Sequence, residues 1–172
     1  MSRKKQRGFS LIELLIVVAI ILIIAAIAVP NFLRAKMAAN ESSAASSVRT
    51  TYTAEITYYN AYPQVGYAAK IQDLGGAEPC TQSSTSACMI PDPLSTAIVG
   101  STGKSGYVFA ATGIASGGSI NDTFVVGSAP VNPGVTGLKL FCTTNDGTIR
   151  NSVGPSSTPV NTTAACLAYT PI

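Results

Sequence analysis

Glu13 is the only acidic residue in an otherwise apolar stretch, Phe9–Val29. A carboxylate among Leu, Ile and Val costs several kcal/mol unless it is paired or protonated, so it calls for a partner. The other reactive groups are four thiols, Cys80, Cys88, Cys142 and Cys166. No other catalytic constellation is visible. The chain has no His, which removes any His base and any His-rich metal site. Lys104-Ser105 lies in a Gly-rich stretch without an orienting third group. Gly100–Ser105 imitates part of a phosphate loop but lacks its first-Gly spacing and its strand and helix flanks. Glu41, Glu55, Asp73, Glu78, Asp92, Asp122 and Asp146 are scattered and form no Ca²⁺ loop of alternating acids. No two Cys stand at the tandem spacing of a zinc site. The expectation is a chain that is not an enzyme and has no cofactor and no metal.

The element that must hold Glu13 is a helix. Phe9–Val29 is 21 residues long, about 31 Å at about 1.5 Å per residue, which matches a hydrocarbon core of about 30 Å. Arg3, Lys4, Lys5 and Arg7 precede it, against Arg34 and Lys36 beyond, which places residues 1–8 in the cytoplasm. The net charge of +3 comes from that leader. Residues 9–172 carry seven basic and eight acidic side chains, so there is no basic body for nucleic acid. A cleaved secretory signal would end at Ala26-x-Ala28. The apolar run is too long for such a signal, and Glu13 would have no purpose in it.

The run Lys5-Gln6-Arg7-Gly8-Phe9-Ser10-Leu11-Ile12-Glu13, continuing through Leu14-Leu15-Ile16-Val17-Val18-Ala19-Ile20, resembles the leader signal of type IV pilins and pseudopilins. The resemblance is dense over residues 5–30 and looser to about Tyr62. It implies cleavage between Gly8 and Phe9 by a membrane prepilin peptidase, which also N-methylates Phe9. It further implies that Glu13 serves assembly by pairing with the Phe9 amine of a neighbouring subunit. Glu13 lies four residues beyond Phe9, about one helical turn, on the same face. Gly at the cut lets the backbone lie extended against a protease.

Beyond the apolar run, Pro30 has no N–H and would clash one turn back, so a helix continuing through it should kink. Leu33, Met37, Ala44, Val48, Tyr52, Ile56 and Tyr59 recur at helical spacing, with Glu55 off that face. The organisation expected is a cytoplasmic leader peptide over 1–8, a transmembrane and assembly half-helix over 9–29, and an amphipathic half-helix over 30–62. A variable loop over 63–105 follows, then a β-sheet and disulfide-tied region over 106–172. Strands are expected at 107–112, 123–128, 138–143 and 148–151, with a hairpin turn at Asn145-Asp146-Gly147. The fold class is α+β: a long kinked N-terminal helix packed on a small antiparallel sheet of three or four strands, an order that also resembles the pilin globular domain.

Four Cys in an exported domain suggest two disulfides, with three possible connectivities. Cys80–Cys88 closes the shortest loop at least entropic cost, which leaves Cys142–Cys166. A disulfide tying the C-terminal region down also resembles pilins.

The resulting reading is a structural subunit of a type IV pilus filament, a helical homopolymer of identical subunits joined through the N-terminal helix. Its further partners would be the peptidase/methyltransferase, an inner-membrane assembly platform and, before assembly, the membrane itself. The precursor would be single-pass in the inner membrane and the product an extracellular filament. One rival is a pseudopilin of a type II secretion system, assembled in the periplasm. A rival of another class is a signal-anchored surface domain that binds a ligand.

Overall fold

The computed structural model describes residues 9–172. Two compact units divide the chain, one ending at Lys36 and the other running Met37–Ile172. The element they share is α1, Leu11–Ala61. It passes through Pro30 without interruption of the helical assignment. In the first unit the helix is almost wholly apolar, and every described residue from 9 to 36 is exposed except the half-buried Ala25.

The second unit is built on a five-stranded antiparallel sheet in the order β1-β2-β3-β4-β5. The strands are β1 Tyr107–Ile114, β2 Thr123–Pro130, β3 Lys139–Thr144, β4 Arg150–Val153 and β5 Thr170–Pro171. A long N-terminal helix with an antiparallel sheet is an α+β architecture consistent with the pilin fold. Three or four strands were expected. The additional one is the two-residue β5, formed where the chain end pairs with Arg150 and Asn151.

Period-two alternation sorts the side chains of the sheet. Tyr107, Phe109, Ala111, Phe124, Val126 and Phe141 join Ala44, Val48, Ala54 and Tyr58 of α1 in the main core. The opposite face of the sheet is covered as well. Val125 and Cys142 pack with Val160 and Cys166 of the C-terminal segment. Gly127 permits this cover, because a Cβ there would stand 2.3 Å from the Val160 carbonyl oxygen. This C-terminal segment contains a short helix, α4 Thr163–Leu167, capped where Thr162 Oγ1 accepts the Ala165 N–H.

The segment 63–105 holds two one-turn helices, α2 Ile71–Leu74 and α3 Asp92–Ser95, and puts Ile71, Leu74, Ile90 and Leu94 into the core. Its Pro and Gly residues bend the chain around α1 and leave these apolar residues facing inward.

The buried stripe of α1 differs from the one its apolar residues suggested. The buried residues are Ala44, Ser47, Val48, Thr51, Ala54, Glu55 and Tyr58, while Tyr59 is 41% exposed. Small and polar residues can line this stripe because partners meet them. Thr51 Oγ1 donates to the Ser47 carbonyl, Glu55 accepts the Ala68 N–H, and Tyr58 Oη donates to the Ser84 carbonyl.

Candidate assembly site

The helical part of the N-terminal site begins at Leu11, two residues before Glu13. Ser10 is the last non-helical residue, and its N–H donates to Glu13 Oε2 at 2.9 Å. The Ser10 carbonyl accepts the Leu14 N–H at 3.3 Å. This is the returning half of a capping box, in which the acid at the third helical position satisfies the backbone of the capping residue. The Ser-x-x-Glu spacing was the signal for it in the sequence. Glu13 thus already has one partner inside its own chain, through a single oxygen, Oε2, and that partner is a neutral backbone donor.

Around this start the helix offers only apolar surface. Phe9 is 78% exposed, and Leu11, Ile12, Leu14 and Leu15 are exposed with it. Large apolar side chains continue along the helix to Phe32 and Leu33. A lone soluble domain seldom leaves so much contiguous apolar surface in water. The helix is long and apolar enough to cross a membrane. Phe9, Glu13 and Pro30 all lie on the first unit; Gly8 and the leader 1–8 lie outside the described residues.

A family model described as the prokaryotic N-terminal methylation motif matches residues 3–29. This stretch is a prepilin-type signal. The chain is 46% identical over 56 residues to the type IV major pilin protein PilA of Myxococcus xanthus, covering 33% of this chain and 26% of that protein. It is 54% identical over 39 residues to the type IV wide pilus major component PilA4 of Thermus thermophilus, covering 23% of this chain and 30% of that protein. The chain thus spans between a quarter and a third of the length of these curated relatives. No solved structure matches it. From residue 9 to residue 29 the matched motif and the exposed apolar stretch coincide.

All four cysteines lie on the second unit. Cys80 is bonded to Cys88, with Cα atoms 6.1 Å apart, and Cys142 to Cys166 at 5.8 Å. The first closes the loop whose Ser84 carbonyl receives the Tyr58 hydroxyl. The second joins β3 to α4 on the face of the sheet away from α1.

Several acids of the second unit have structural partners. Asp146 sits in the β3–β4 turn, where its carboxylate accepts from Thr144 Oγ1, the Thr148 N–H and the Arg150 guanidinium. The Arg150 bonds hold its pKa down at about 2. Glu55 was expected off the apolar face, but it is fully buried, and desolvation raises its pKa to about 8. Burial also raises Asp73, although Lys70 stands 3.8 Å away. Nothing in the residue types marked Glu55 as buried, because its partner, Ala68 N–H, belongs to backbone that folds back beside the helix. Among the described residues no group of His, Cys, Asp and Glu is placed to hold a metal ion.

Proposed function

We propose that the chain is the precursor of a type IV pilus subunit. In this reading a prepilin peptidase hydrolyses the Gly8–Phe9 bond on the cytoplasmic side of the inner membrane and methylates the Phe9 amine. An inner-membrane assembly platform then moves the subunit into a helical homopolymer on the cell surface. The exposed stretch 9–29, apolar but for Ser10 and Glu13, carries the proposal, because it matches both a bilayer and a bundle of identical helices. The family-model match over residues 3–29 and the likeness to two major pilin proteins support it.

Assembly follows from charge. Glu13 would meet the positive Phe9 amine of a neighbour, each neutralising the other away from water. Only one axial stagger of two parallel helices brings the groups together, so the pair sets register as well as attraction. Pro30, with no N–H to donate, is the place where the helix would bend to pass from the bundle to the second unit. Residues 30–62 would carry the sheet, 63–105 would wrap the helix, and the region 106–172 would be closed by the Cys142–Cys166 bond.

A type II secretion pseudopilin shares the signal and the helix and remains the second reading. The deciding experiment is electron microscopy of material sheared from cells, labelled with an antibody to residues 37–172. Labelled long fibres outside the cell are expected. Processed chain confined to the periplasm favours the pseudopilin, and unprocessed monomer overturns both.

A further inference from the structure

The second unit carries an apolar projection at one end of its sheet and an apolar cavity at the other. The projection is the β1–β2 hairpin tip. Gly117 stands in open space, and the tip presents Ile120, which is 40% exposed. Val65 is beside it, its carbonyl oxygen accepting the Asn121 N–H. The cavity, about 360 Å³, lies where β3 begins and β4 ends and is lined by Pro133, Leu138, Val153 and Pro155. Leu138 and Val153 are 48% and 69% exposed, unusually open for an aliphatic pair facing one hollow. The eight residues of β2 separate the two ends by about 26 Å at about 3.3 Å per residue.

The charges at the two ends are opposite. At the tip, Asp122 has only the Ser116 N–H and hydroxyl as partners, and Asp146 is neutralised by Arg150. At the cavity end, Lys139 is neutralised by Glu41, while the Lys104 ammonium meets only the Ser47 hydroxyl. Among the described residues neither Asp122 nor Lys104 has an oppositely charged partner. Asp122 at the tip and Lys104 just before β1 are thus unpaired charges of opposite sign at the two ends of the hairpin.

We propose that the tip of one copy docks in the cavity of the next, with Ile120 and Val65 against Pro133, Leu138, Val153 and Pro155, and Asp122 drawn towards Lys104. The occupant is a second copy of this chain. The two complementary surfaces sit at opposite ends of one unit, so the contact is head-to-tail and leaves a free tip and a free cavity after every addition. The contact also runs along α1. The tip lies beyond the helix end at Ala61, and the cavity end is tied to its earlier turns, where Asn40 Nδ2 donates to the Thr136 carbonyl and Glu41 accepts the Leu138 N–H. Copies shifted along parallel helices would therefore present tip to cavity. The inference rests on the filament reading and adds to it a second contact, independent of Glu13.

The test uses the full-length chain in cells, with Ile120→Cys and Val153→Cys introduced together. Both positions are exposed, and the described residues contain no free thiol to compete. Sheared fibres are oxidised and run on non-reducing gels. A ladder of dimers, trimers and higher multiples is expected from the double variant. It should be absent from either single variant and from Ile120→Cys paired with Val99→Cys, a residue that is also exposed but lies outside the cavity. Normal fibres without a ladder overturn the contact and leave the filament reading standing. Cross-linking of Val153→Cys to a different protein overturns it as well. Absence of fibres from the unaltered chain removes the filament reading and this contact with it.

Discussion

Glu55 Oε2 accepts the Ala68 N–H at 2.9 Å, joining the last third of α1 to the segment that leaves it, thirteen residues on. The other oxygen, Oε1, is buried without a partner. Asp73 on α2 faces this carboxyl with like charge, while Tyr58 on α1 and Tyr67 beyond it add no positive charge. The site therefore favours a neutral acid.

Stability should consequently fall on the alkaline side. The pKa of Glu55 rises from 4.5 to about 8 on folding, so between those values the folded chain holds a proton that the unfolded chain has released. Its contribution is complete below pH 4.5 and is lost as pH climbs through about 8, at about 1.4 kcal/mol per unit of displacement. Thermal melting of the detergent-solubilised chain should show the melting temperature dropping from pH 6 to pH 9. Glu55→Gln should flatten that slope and be more stable than the parent at pH 9. An unchanged slope in the variant would assign the effect elsewhere.

Acid should loosen a different place. The pKa of Asp146 falls from 3.8 to about 2 through Arg150, so its contribution is present above 3.8 and disappears as pH falls through 2. Amide exchange in residues 144–150 should accelerate below pH 3 in the parent. Asp146→Asn should show that faster exchange already at pH 7.

Processing is expected to yield a mature chain that starts at N-methyl-Phe9, read by mass spectrometry of the N-terminal peptide. Gly8→Val should leave full-length precursor in the membrane, because the added Cβ keeps the backbone out of a narrow cleft. A mature start at Val29 would identify an ordinary secretory signal and end the pilin reading.

Replacing Glu13 separates folding from assembly. Opposite charges about 4 Å apart attract by about 4 kcal/mol at an effective dielectric near 20, before desolvation is subtracted. Glu13→Ala should be inserted, cleaved and folded as the parent, yet give fibre yields lowered at least tenfold. Glu13→Gln keeps an oxygen for the Ser10 N–H but no charge, so it should be nearly as poor. If Glu13→Gln restored normal yield, the acid's role would be the helix cap alone.

Removing the Cys142–Cys166 bond by a double Ser substitution should lower stability by about 3 kcal/mol, the chain-entropy value for a loop of this length. The loss should be accompanied by faster amide exchange over residues 155–172, as the cover lifts from Val125. The same change at Cys80 and Cys88, which close a shorter loop, should cost less and leave that exchange unaltered.

The N-terminal helix could be read from the residues because it depends only on local sequence: an unbroken apolar run, a flanking charge bias and Glu13. The first four strands were legible too, since Tyr107–Thr112 and Leu138–Thr143 alternate against turn-forming neighbours. What stayed hidden depends on residues distant in sequence. Glu55 and Thr51 look solvent-facing until Ala68 and the rest of the wrap close over them. Strand β5 has only two residues and owes its conformation to Arg150 and Asn151. The second buried face of the sheet rests on Gly127, whose missing side chain carries no pattern of its own.

Almost no residue between Phe9 and Lys36 is buried by the rest of the chain, which has a consequence for how variants must be screened. Apart from Glu13, which caps the helix through the Ser10 N–H, a substitution along that stretch alters no buried side chain, so calorimetry or denaturant titration of isolated subunits would score it as nearly silent. Its whole effect would appear only when many copies meet. Heterozygous mixtures should then be the sensitive assay: a small fraction of subunits defective in residues 9–36 would cap or interrupt growth while every individual molecule still tests as sound.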